Sequence, residues 1–147
     1  MSVENYFTDD EKRRIKEAIA EAELDTSGEI RLHVEGKCKI EVLDRAAYVF
    51  EKLGMHETEL RNGVLFYLAV YDHKFAIIGD RGINKLVPEN YWDEIKKTML
   101  GYFSKGAIAD GLVEGFLMAG QQLKSNFPYL KDDINELSDE ISFEKNL

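Results

Sequence analysis

Arg61–Ile83, RNGVLFYLAVYDHKFAIIGDRGI, is the stretch that decides the fold. Asn62-Gly63 opens it with a turn signal, and the chain is then apolar without a break from Val64 to Tyr71. Asp72-His73 interrupts the run, Phe75 to Ile78 resumes it, and Gly79-Asp80-Arg81-Gly82 closes it. An unbroken apolar run between turn residues fits a strand buried on both faces. Two such runs separated by Asp72-His73 read as a tight hairpin, although the favoured glycine is missing.

Upstream, Glu29 to Glu35 alternates, with Ile30, Leu32 and Val34 on one face and Glu29, Arg31, His33 and Glu35 on the other. That pattern predicts a strand with one less buried face, nearer the edge of a sheet. Gly36-Lys37 turns the chain, and Cys38 to Val42 reads as a short further strand. Leu43, Ala46, Ala47, Phe50 and Leu53 mark a helix stopped by Gly54. Strand, helix, strand in that order predicts a right-handed crossover and a parallel pair, to which the hairpin adds an antiparallel strand.

At the N-terminal end, Thr8-Asp9-Asp10-Glu11 is a capping box for a helix ending near Leu24, with Ile15, Ala18, Ile19 and Ala22 as its apolar stripe. Beyond Gly82, Pro88 suits the first turn of a helix carrying Tyr91, Trp92, Ile95 and Met99. Ile108, Leu112, Phe116, Ala119 and Leu123 give another. Gly111, Gly115 and Gly120 weaken that helix by about 1 kcal/mol each, which close packing on the sheet would offset. Residues 131–147 form an acidic tail, read as a short helix that frays. No repeat or linker divides residues 1–130, so they are read as one domain. The fold class is α/β, a three-layer α/β/α sandwich with a mixed, roughly four-stranded central sheet.

The 147 residues carry 19 Lys plus Arg against 28 Asp plus Glu, a formal net charge of -9. Nucleic acid and anionic membranes, which need a basic face, are not expected partners. Divalent cations are compatible with so many carboxylates. Cys38 is the only cysteine, so no internal disulfide forms. No segment approaches the roughly 18 apolar residues of a membrane span or shows the apolar core of a signal peptide, and a cytoplasmic location is expected.

Strand direction decides which loops are neighbours. The starts of the two parallel strands and the end of the antiparallel one share one rim of the sheet, so residues 26–29, 59–63 and 79–82 should converge. That gathers Glu29, Glu59, Asn62 and Asp80 with Arg61 and Arg81, an oxygen-rich cluster suited to a hard divalent cation. The structural alternative is that Glu29 pairs with Arg61 and Asp80 caps the segment after it. The opposite rim collects Glu35, Gly36, Asp72 and His73, and ligands of open α/β sheets favour the carboxyl ends of parallel strands.

Taken together, Thr26-Ser27-Gly28-Glu29-Ile30, Phe50-Glu51-Lys52-Leu53-Gly54-Met55, Arg61-Asn62-Gly63-Val64-Leu65, Tyr71-Asp72-His73-Lys74, Ile77-Ile78-Gly79-Asp80-Arg81-Gly82-Ile83 and Tyr91-Trp92 with the later Gly111-Leu112 and Gly115 give a chain that resembles the TPM domain family. The blocks keep the family's order from about Glu11 to Leu123. Family members include thylakoid-lumen proteins linked to photosystem II repair and bacterial envelope proteins. The resemblance implies an α/β/α sandwich, divalent metal binding, often calcium, and for some members acid phosphatase activity. It moves the expected site to the rim of Glu29, Asn62 and Asp80, with Asp25 in the same loop and Asp110 in the first turn of the fourth helix as further metal candidates. Many relatives carry a signal peptide and a transmembrane or low-complexity tail; this chain reads as a stand-alone domain.

Two functions are therefore expected to compete. One is a regulatory or structural domain binding Ca²⁺ or Mg²⁺. The other is a metal-dependent phosphoester hydrolase acting on a phosphate-containing small molecule, with Arg61 or Arg81 steadying the phosphate. A metal-free protein-interaction domain leaves no distinct mark in the sequence. His33, His56 and His73 lack zinc-site spacing, Gly79–Gly82 lacks the lysine and hydroxyl of a phosphate loop, and there is no Gly-x-Ser-x-Gly elbow.

Overall fold

The central hairpin forms, but its turn takes in residues 70–73 rather than Asp72-His73 alone, because Ala69 already pairs with Lys74. In the computed structural model, which describes residues 3–128 and 141–147, β2 (Gly63–Ala69) is buried at every position and pairs antiparallel with β3 (Lys74–Gly79). His73 closes the turn in the left-handed region, at φ 54°, which takes over the role of the missing glycine. β1 (Glu29–Glu35) lies parallel to β2 in the register Glu29 opposite Gly63 through Glu35 opposite Ala69. Among the described residues the sheet has four strands in the order β3-β2-β1-β4.

The fourth strand is not the expected one. Residues 38–41 form no strand; the Glu41 carboxylate accepts the amides of Leu43 and Asp44 and starts helix α2 (Val42–Lys52). A capping carboxylate and the helical spacing behind it win over a weak strand pattern. The fourth strand is β4 (Ser142–Phe143), which runs parallel to β1 with Ser142 opposite His33. The helix expected in the acidic tail falls on positions 131–140, outside the described residues, and the tail's last residues form β4 and a 3₁₀ turn at Glu144–Asn146.

β4 also corrects the reading of β1. That strand sits inside the sheet rather than near its edge, and Glu29, His33 and Glu35 on its supposedly open face are buried. Buried polar groups need partners, and here His33 and Glu35 find each other.

Two faces of the sheet are covered. Ile30, Leu32 and Val34 join Val64, Phe66, Leu68 and Ile77 in the larger core, against α1 (Asp9–Ala22), α4 (Tyr91–Phe103) and α5 (Ile108–Asn126). Leu65, Tyr67, Ala69 and Ala76 face α2 through Ala46, Val49 and Phe50. The Thr8–Glu11 capping box starts α1 as read. Pro88 lies ahead of α4 rather than in its first turn, its carbonyl accepting the Tyr91 amide. The α5 glycines are packing positions: a Cβ on Gly120 would come within 2.5 Å of the Ala22 carbonyl oxygen on α1.

One short helix escaped the sequence pattern. Residues Arg81–Asn84 form α3, with Asp80 as N-cap accepting the Arg81 amide at 2.8 Å. A single turn is too short to show helical periodicity.

Candidate functional site

The rim at the start of the parallel strands is tied together by backbone. The Glu29 amide donates to the Asn62 carbonyl (3.4 Å), the Asp80 amide to the Gly63 carbonyl (2.9 Å) and the Gly82 amide to the Arg61 carbonyl (2.9 Å). Strand register thus brings the loops before β1, before β2 and after β3 into contact, as their directions required. Among the described residues, two of the three non-glycine residues in the left-handed region, Asp25 (φ 62°) and Arg61 (φ 52°), stand in these loops. Such backbone is uncommon outside places where function or packing demands it.

Side chains at this rim divide into committed and uncommitted groups. Arg61 donates through Nε and one Nη to both oxygens of the buried Asp80 carboxylate, at 2.7 and 3.0 Å. The structural alternative therefore holds for Asp80, which both caps α3 and takes Arg61; Glu29 is not the partner of that arginine. Glu29 is buried, and Glu23 joins the rim by accepting the Ile30 amide through Oε2 at 2.7 Å. Asn62 is 1% exposed; its amide donates to Thr58 Oγ1 (3.3 Å) and its Nδ2 to Ser27 Oγ (3.4 Å). Its Oδ1 is buried with no hydrogen-bond partner among the described residues.

Of the other expected ligands, Asp25 and Glu59 are exposed on these loops. Asp110 is elsewhere. It lies in the first turn of α5 and pairs with Arg14 of α1, whereas the far end of α5 meets the loop before β1 through Thr26, whose hydroxyl donates to the Leu123 and Phe127 carbonyls. The helix runs from one rim to the other, a direction that spacing along the chain does not reveal. No group of three or more His, Cys, Asp or Glu is arranged to hold a metal among the described residues.

His56 was missed. It lines a cavity of about 390 Å³ with Glu51, Phe50, Ile78, Arg61 and Asp80, and its Nδ1 is buried without a hydrogen-bond partner among the described residues. A lone histidine in a polar loop carries no periodic signal, so only the fold brings it to Asp80.

The other rim holds a buried polar chain. Ser142 Oγ lies 2.7 Å from His33 Nδ1, and His33 Nε2 lies 3.2 Å from Glu35 Oε2. Arg45 forks onto Glu35 at 2.9 and 2.6 Å, and the Tyr67 hydroxyl donates to Glu35 Oε1 at 2.6 Å. Burial pushes the Glu35 carboxyl up, but hydrogen bonds from His33, Arg45 and Tyr67 outweigh it and hold the pKa at about 2. Tyr67 is raised by burial and by the Glu35 carboxylate. Serine, histidine and glutamate in a line suggest a nucleophile relay. Ser142, at 1% exposed and paired within the sheet, has no room for a substrate, and the chain of contacts is structural.

Comparison with known proteins agrees with this architecture. A family model described as the TPM domain matches residues 2–122. The BA42 protein of the psychrophilic bacterium Bizionia argentinensis, solved by NMR, is 45% identical over 97% of this chain and 98% of its own, with a TM-score of 0.89. The N-terminal domain of the Corynebacterium glutamicum cg2496 protein (12% identity, TM-score 0.66, 86% of this chain and 80% of that one) shares the fold. So does the N-terminal domain of a P. gingivalis protein (16% identity, TM-score 0.67, 82% and 78%). No curated protein matches the chain. Among the described residues no helix is long and apolar enough to cross a membrane. With a matching family model over most of its length and a near full-length relative at 45% identity, this chain belongs to the TPM domain family.

Proposed function

We propose that this TPM domain binds a hard divalent cation, Ca²⁺ or Mg²⁺, at the rim formed by residues 25–29, 57–63 and 79–82, in a regulatory or structural role. The observation that carries the reading is the buried Oδ1 of Asn62, without a hydrogen-bond partner among the described residues, where those loops meet. Leaving such an oxygen unpaired costs about 1–3 kcal/mol, which a coordinated cation would relieve. Asn62 Oδ1 and the neighbouring Ser27 Oγ would be the inner donors, with Asp25 and Glu29 supplying charge from the same turn. All are oxygen donors, which fits Ca²⁺ or Mg²⁺ rather than zinc. Asp80 has both oxygens on Arg61 and acts from behind, fixing the residue next to Asn62.

A cation bound by the folded chain and not by the unfolded one stabilises it by mass action. Titration with Ca²⁺ is expected to move amide resonances in residues 25–29, 57–63 and 79–84 saturably, with a dissociation constant on the order of 0.1–1 mM. Asn62→Ala should abolish the response. No movement in those segments at about 10 mM ion ends the proposal.

The His56 cavity favours a second reading, phosphoester hydrolysis at the same rim. There His56 would carry the proton between solvent and the leaving oxygen, and Arg61 would meet the phosphate charge. A bound cation would supply further charge for the phosphoryl oxygens. Turnover of p-nitrophenyl phosphate should fall by about 100-fold or more in His56→Ala, with amide spectra unchanged elsewhere. Undiminished turnover in that variant rejects this chemistry. Asp80→Asn is the poorer test, because Asp80 also holds Arg61 and caps α3.

A further inference from the structure

The opposite rim carries a feature of different chemistry. Beyond the carboxyl ends of β1 and β2 lies an open cleft of about 540 Å³. Lys37, Lys39 and Arg45 line it, in a chain whose formal net charge is -9. The carboxylates nearby are turned to other tasks. Glu35 is held by Arg45, Tyr67 and His33. Glu144 accepts the Gly36 amide at 2.9 Å, and Asp72 accepts the Cys38 amide at 2.7 Å. Lys37 and Lys39 are exposed and form no ion pair among the described residues.

Apolar surface completes the cleft. Ile40 is 54% exposed and Tyr71 45% exposed, both on its wall. The loop that presents them is fixed in advance. The Tyr71 amide donates to the Gly36 carbonyl at 2.8 Å, and Lys74 Nζ donates to the Cys38 carbonyl at 3.2 Å. The Tyr71 ring lies so close to Gly36 that a Cβ there would be 2.9 Å from it. A pre-formed loop spares a ligand the cost of ordering it. The carboxyl ends of parallel strands are also where open α/β sheets usually take ligands.

We propose that this cleft binds a small molecule carrying an oxyanion, carboxylate or phosphate, on an apolar body. Lys37 and Lys39 meet the anion, and Ile40 and Tyr71 hold the body. Arg45 and Glu35 form a paired, mutually neutralised base, so the positive charge offered to the anion is that of the two lysines. The inference is independent of the cation reading, whose residues stand at the other rim.

Amide titrations of the whole protein with phenyl phosphate, phenylacetate and inorganic phosphate test it. At least one aryl probe should move residues 36–40 and 71 saturably, with a dissociation constant at or below about 1 mM. The tighter of the two identifies the preferred oxyanion. Lys37→Ala/Lys39→Ala, two exposed positions that the fold does not depend on, should weaken that probe about tenfold. The proposal fails if neither aryl probe saturates by about 10 mM. It fails equally if the double variant binds as tightly as the parent, if inorganic phosphate binds as well as the aryl compounds, or if the shifts gather around His56 and Arg61 instead.

Discussion

Arg45→Met is expected to destabilise the protein by about 3 kcal/mol at neutral pH, lowering Tm by roughly 10 °C. The variant keeps the aliphatic stem of residue 45 and removes the guanidinium from a carboxylate that is only 3% exposed. Glu35 would keep Tyr67 and His33, but one charge would be left buried without its counter-charge, the case in which loss of one partner is most damaging. The pH dependence gives a second check. Folded Glu35 titrates at about 2, against 4.5 when unperturbed, so its folded value is depressed. The associated stability is present above about pH 4.5 and is lost as pH falls from there toward 2; that gap corresponds to roughly 3 kcal/mol. In the variant the carboxyl climbs, because burial remains while one of the partners that oppose it is gone. Urea unfolding at pH 7 and pH 3 should therefore show a large difference that narrows on acidification. A difference below about 1 kcal/mol at pH 7, or one that widens at pH 3, would mean that Arg45 does not sustain the buried carboxylate.

That network also marks where the sequence stops being legible. The hairpin, the parallel pair and the helices carried clear patterns, because long apolar runs and regular spacings are local properties. β4 is two residues long and has no period to detect. Its absence from the sequence pattern turned β1 into an apparent edge strand and left Glu29, His33 and Glu35 apparently facing water. Among the described residues the sheet has the expected four strands, but its fourth is Ser142–Phe143 rather than residues 38–42.

The rim was half legible for a similar reason. Convergence of three loops follows from strand direction alone, and the register of β1, β2 and β3 delivers it. Which carboxylate Arg61 takes depends on side-chain reach across the rim, and Asp80 wins over Glu29. His56 and Asp110 depend on the course of a loop and of a helix through space. The first therefore entered the rim unannounced, while the second stands at the far one, paired with Arg14.

Gly82→Ala is the substitution expected to open that rim. A Cβ at this position would sit 2.1 Å from the Leu60 carbonyl oxygen and 2.5 Å from that of Arg61. Both are backbone atoms, so no rotamer change relieves the overlap, and the segment before β2 must move. That segment has little freedom. Arg61 is already left-handed at φ 52°, its carbonyl accepts the Gly82 amide, and its guanidinium is forked onto Asp80. Displacing it therefore strains the Arg61–Asp80 clamp and shifts Asn62 together. Overpacking usually costs about 1–3 kcal/mol, and with backbone on both sides of the contact a loss near 3 kcal/mol is expected. Gly101→Ala is the internal control: nothing lies within 4 Å of its Cβ, it is inside α4, and helix propensity should raise stability by up to about 1 kcal/mol. Thermal unfolding of the two variants should move in opposite directions. Amide shifts in Gly82→Ala should concentrate at Glu29, Arg61, Asn62 and Asp80, and its Ca²⁺ response should weaken with them. If Gly82→Ala instead unfolds with the parent and its rim resonances stay in place, the loops are not held by this contact, and Asn62 owes its position to the strand register alone.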